Sequence, residues 1–182
     1  MIMKKRISAL LLVLLFLFPA AALAFNHYSL DVDALKAVEQ EDTFDVRITR
    51  KVVTDDVKTD TIYNRDLLSF EITNGSPYTL SQLTILAVCH DEEGKAATLT
   101  GSYGYSLIIG SEKRTLQVLT FEPAGAEPGA VFTVSVACEH AYFSGVRALV
   151  AQITAADGQV FTNPLYERWQ EVALGSPTHI LD

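Results

Sequence analysis

The chain has 182 residues, about half of them hydrophobic, with 14 basic and 22 acidic residues and a net charge of −8. This is enough for one domain with a proper core. The acidic surface repels nucleic-acid phosphates and anionic lipid, which excludes a nucleic-acid-binding role on charge grounds.

Met1–Ala24 reads as a secretory signal. Lys4, Lys5 and Arg6 form a basic start, an apolar run extends from Ile7 to Phe18, Pro19 ends it, and Ala22-Leu23-Ala24 is a small-x-small cleavage site. The apolar run is shorter than the roughly 20 residues of a membrane span. Phe25 follows the site where a lipid-bearing cysteine would stand, and no second long apolar run occurs, so no stable membrane insertion is expected after cleavage. The expected location is periplasmic or secreted. Loss of Lys4, Lys5 and Arg6 with the leader takes the net charge to −11.

Beyond the leader, period-two alternation dominates. His27–Val32 alternates like a strand, and Asp33–Gln40 fits a short helix. Asp45–Val53 reads as a strand, as does Leu67–Thr73, where Leu68, Phe70 and Ile72 share one face. Asn74-Gly75-Ser76-Pro77 then breaks the chain, since Gly permits positive φ and Pro lacks a ladder donor. Leu80–His90 is the strongest strand: Leu83, Ile85, Ala87 and Cys89 line one face, and Leu86 and Val88 make the other partly apolar, as suits a central strand. Asp91-Glu92-Glu93-Gly94-Lys95 is an acidic turn, and Ala97–Ile109 reads as two short strands or one irregular edge. Further strands are expected over Arg114–Phe121, over Phe132–Cys138 with Phe132, Val134, Val136 and Cys138 on one face, and over Val146–Thr154, closed by the Asp157-Gly158 turn. Leu165, Trp169 and Val172 have helical spacing, so a short terminal helix is expected, with Trp169 stapling it to the domain. The resulting division is a leader over 1–24, an irregular N-terminal segment with the first strands over 25–66, an all-β, immunoglobulin-like β-sandwich over 67–160, and a tail or short helix over 161–182.

The runs Ser69-Phe70-Glu71-Ile72-Thr73-Asn74-Gly75-Ser76, Leu80-Ser81-Gln82-Leu83-Thr84-Ile85 and Asp91-Glu92-Glu93-Gly94-Lys95 resemble bacterial immunoglobulin-like envelope modules of the FxLyD type, with a strand ending in Asn-x-Ser, a second strand and an Asp-x-x-Gly-Lys turn. Ile109-Gly110-Ser111-Glu112 resembles their Pro-Gly-Glu turn without the proline, and Cys89 stands where an aromatic is expected. The resemblance spans roughly Leu67 to Ala155 and implies a sandwich with a binding or spacer role and no catalytic residues to carry over.

Two cysteines in an exported domain suggest one disulfide, Cys89–Cys138, with two buried thiols as the alternative. If both strands were antiparallel neighbours, as strands C and F of an immunoglobulin sheet, the cysteines would sit at opposite ends, too far for the Cα separation of about 7 Å that a bridge needs. If the strands instead run parallel, or face each other across the sandwich, the bond is natural. Cys89, His90, Cys138 and His140 together offer a soft-metal ligand set for Zn or Cu, although Cys89 and His90 point to opposite faces of a strand. Asp55, Asp56 and the Asp91–Glu93 run lack calcium-loop spacing. The chain has no Gly-x-Ser-x-Gly, His-Glu-x-x-His or phosphate-loop motif, and no cofactor is expected. Tyr103 and Tyr105, in the Gly101–Ile109 stretch, are candidate contact residues for a partner. The expected function is that of an exported non-catalytic module contacting an envelope or extracellular protein, with a periplasmic metal-handling or redox protein as the alternative.

Overall fold

The computed structural model describes residues 29–58, 64–97, 99, 116–138 and 143–174. Its elements are α1 (Val32–Gln40), β1 (Val46–Lys58), β2 (Asn64–Asn74), β3 (Leu80–His90), β4 (Ala96–Ala97), β5 (Leu116–Phe121), β6 (Val131–Cys138), β7 (Gly145–Ala155), β8 (Val160–Thr162) and α2 (Tyr166–Leu174). One sheet has the order β1-β2-β6; in the other, β4 and β5 flank one side of β3, and β7 and β8 follow on its other side. All the pairings are antiparallel. The arrangement is an immunoglobulin-like sandwich, with β1, β2 and β6 as strands A, B and E facing β5, β3, β7 and β8 as C′, C, F and G.

Alternation along each strand builds the core between the sheets. Leu68, Phe70 and Ile72 of β2 meet Leu83, Ile85 and Ala87 of β3, and all six are fully buried. The opposite face of the second sheet is buried as well. Leu86 and Val88 of β3, with Leu149 and Ala151 of β7, lie beneath Leu35 and Val38 of α1 and Trp169 and Ala173 of α2. The molecule is therefore three-layered, and β3 is apolar on both faces because it is covered on both. Trp169 has the stapling role expected of it, at 0% exposure. In β5 it is Leu119 and Phe121 that pack into the inter-sheet core, while Val118 is exposed.

Three local expectations change. The His27–Val32 strand reduces, among the described residues, to a single bridge from Ser29 to Lys95, and α1 begins at Val32, where the Asp31 carboxylate caps it by accepting the Ala34 amide at 2.9 Å. The 157–158 turn leads into β8, three residues whose pairing with β7 the alternation did not foretell. Gly75 is absent from the residues with positive φ; it is needed because a Cβ there would lie 2.7 Å from the Asp45 carbonyl oxygen, whose bond from the Gly75 amide is 2.8 Å.

The Asn-x-Ser sequence after β2 forms a buried hub. Asn74 Nδ2 donates to the carbonyls of Tyr78, Ala126 and Glu127 at 2.8, 3.0 and 3.1 Å, and its Oδ1 accepts the Ser76 amide and hydroxyl at 3.0 and 2.6 Å. One side chain thus ties together the loops that launch β3 and β6.

Candidate functional site

The cysteines are buried in the inter-sheet core. β3 and β6 belong to opposite sheets, so Phe132–Cys138 is strand E and not the sheet neighbour of β3. Both strands leave the Asn74 hub, and Cys89 and Cys138 close them at the same end of the sandwich, facing the core. The expected disulfide is not formed: both cysteines are buried thiols. Both pack as small hydrophobes among the side chains of the inter-sheet core. Burial, and secondarily the proximity of Cys138, pushes the Cys89 thiol up to about 12.

The described members of the soft-metal set, Cys89, His90 and Cys138, are not grouped as metal ligands. His90 points away from Cys89, its Nδ1 lying 2.9 Å from the Asp91 carbonyl oxygen and its ring over Gly145. Among the described residues no three His, Cys, Asp or Glu side chains are grouped to hold a metal. His140, Tyr103 and Tyr105 lie outside the described residues. The acidic turn is internally bonded: Asp91 Oδ1 accepts the amides of Glu93 and Lys95 at 2.9 and 2.8 Å.

A different site is built around β7. The short β8 pairs only with Gln152–Thr154, so among the described residues the first half of β7 has an edge with no strand beside it. Side chains cover that edge. Asn163 Nδ2 donates to the Val150 carbonyl at 2.9 Å and to Asp42 Oδ1 at 3.1 Å. Glu39, in the last turn of α1, accepts the Ala148 amide on Oε1 at 3.0 Å. Its Oε2 accepts Lys51 Nζ at 3.2 Å and Arg147 Nη1 at 3.3 Å. A carboxylate at a helix C-terminus faces the negative end of the helix dipole, and the two cations offset that.

Lys51 reaches Glu39 because of a bulge. Between Ile48 and Arg50 the β1–β2 register slips by one residue at Thr49. Arg47 pairs with Thr73 on the solvent face, whereas Lys51 pairs with buried Phe70 and so takes the core-facing side. Burial there pushes the Lys51 ammonium below its usual range, with Glu39 opposing the shift and Arg147 adding to it.

These groups line a cleft of about 360 Å³ between α1, β1 and β7, bounded by Lys36, Glu39, Asp42, Arg47, Lys51 and Arg147. Four cations face two carboxylates in a chain that is strongly acidic overall. Lys36 and Arg47 make no ion pair among the described residues. Arg147 Nε is buried and has no acceptor among the described residues. The arrangement is suited to holding an anion in a partly dehydrated setting, where charge interactions are stronger than in bulk water. Sequence reasoning passed over it, although Lys36, Arg47, Arg50 and Lys51 concentrate positive charge within a short stretch of an acidic chain.

No protein family and no curated protein matches the chain. A crystal structure of a hypothetical protein from Peptoclostridium difficile 630 is similar in fold, with a TM-score of 0.54 and 18% identity over 75% of this chain and 94% of that one. The likeness is one of fold.

Proposed function

We propose that the chain is an exported, non-catalytic binding module of the bacterial cell envelope that acts through protein–protein contacts, and that the cleft between α1, β1 and β7 is where it makes them. The supporting observation is the cleft's charge: Lys36, Arg47, Lys51 and Arg147 converge there against a net charge of −11 for the chain without its leader. The leader supports export, and the sandwich provides a rigid frame that holds the cations on three separate elements. The test is recovery of partners from envelope extract by the exported chain and by a Lys36→Glu/Arg47→Glu variant. Both side chains are exposed and make no ion pair among the described residues, so the variant keeps its fold; loss of a partner supports the reading, and unchanged recovery removes the cleft from it.

A further inference from the structure

Resting on that reading, we propose that the cleft is a carboxylate-binding site that takes the acidic side chains of an extended peptide segment of the partner, with Lys36 and Arg47 gripping at the rim and Arg147 holding a carboxylate at depth.

The charge balance is the first ground. Lys51 and Arg147, whose side chains are 25% and 23% exposed, share the single Glu39 carboxylate, leaving a surplus positive charge in a partly dehydrated place. Arg147 spends one Nη on Glu39, while its Nε–H is buried without an acceptor among the described residues. A buried donor left unsatisfied is costly, and a guanidinium is shaped to meet a carboxylate through two N–H groups. A second carboxylate entering the cleft answers both deficits.

Glu39 shows the mode of capture. Here the chain's own carboxylate is held by one backbone amide and two cations on different strands. An incoming acidic side chain meets the same chemistry, displaced toward Lys36 and Arg47.

The spread of the cations favours a segment over a compact anion. They come from α1, β1 and β7, and the cleft exceeds the volume of one oxyanion. Beside it runs β1, which among the described residues pairs with β2 on one side only and so offers an edge there. An extended segment along that edge gains main-chain hydrogen bonds while its acidic side chains reach the cations.

The test is fluorescence anisotropy of a labelled hexaglutamate peptide titrated with the exported chain, with glutarate and inorganic phosphate as competitors. Saturable binding is expected, weakening with salt and falling about tenfold or more in Lys36→Glu/Arg47→Glu, which melts with the wild type. No saturable binding, or equal binding by the variant, overturns the proposal. Competition by glutarate or phosphate as effective, per molecule, as unlabelled hexaglutamate also overturns it, in favour of a small free anion. If hexaglutamate fails but the variant still loses its envelope partner, the acidic-segment chemistry falls and the binding-module reading stands. If hexaglutamate binds and partner recovery is unchanged by the variant, the cleft binds carboxylates but is not the envelope contact, and both readings of it as a partner site fall.

Discussion

Glu39 of α1 accepts the backbone amide of Ala148 at 3.0 Å, standing in for the strand that β7 lacks beyond β8. The same carboxylate holds Lys51 and Arg147 apart from each other's charge. Replacing it removes an edge partner and leaves two cations facing one another where water is scarce. Glu39→Ala is expected to cost about 3 kcal/mol in urea unfolding. Glu39→Gln keeps an acceptor for the amide and loses only the charge, so its cost should lie between the two.

Asn74 is a second hub of buried hydrogen bonds. Its side chain makes three donor bonds and accepts two, at 0% exposure. Asn74→Ala leaves several buried carbonyls without a partner and should destabilise by about 3 kcal/mol, with amide exchange accelerating in the 126–130 loop.

Gly75 next to it sits against the Asp45 carbonyl. Gly75→Ala forces that backbone to move and should lower stability by about 1–3 kcal/mol in a thermal melt, despite adding a single methyl group.

Cys89 supplies a pH signature. Its thiol is pushed from 9.0 to about 12 in the folded chain. The folded state therefore keeps a proton that the unfolded state releases above about pH 9, so the stabilising effect is complete below that pH and is lost as pH rises toward 12. Unfolding free energy should fall by about 1.4 kcal/mol per pH unit in that window, and Cys89→Ala should flatten the slope. Folded protein at pH 8 should also resist a thiol reagent that labels two thiols per chain after denaturation.

Trp169 is the only tryptophan of the chain and is buried between α2 and the second sheet. Its emission should be blue-shifted when folded and move to longer wavelength on unfolding, which makes it the reporter for the measurements above. Trp169→Ala should cost about 3–5 kcal/mol. Its Nε1 has no partner, so Trp169→Phe forfeits packing alone and should cost roughly 1–2 kcal/mol.

Much of this architecture was legible in local pattern. Alternation located Leu80–His90 at both ends, and placed the other main strands within a few residues at most boundaries. The apolar second face of β3 announced a central strand, and helical spacing around Trp169 announced the terminal helix that helps to cover it. These signals survive because side-chain direction in a strand or helix follows from neighbouring dihedrals alone. Sheet membership was not legible for the opposite reason: whether β6 joins β3 or β2 depends on pairing between distant segments, and alternation is the same in either sheet. The basic cleft was hidden by a single bulge. Uninterrupted alternation puts Arg47 and Lys51 on one solvated face, and the slip at Thr49 turns Lys51 inward to Glu39. Periodicity was thus sufficient for the strands and their apolar faces, which are local properties of the backbone. Sheet membership, the unbridged thiols and the convergence of four cations on one cleft were decided only in the tertiary structure, because each depends on register and contact between residues far apart in the chain.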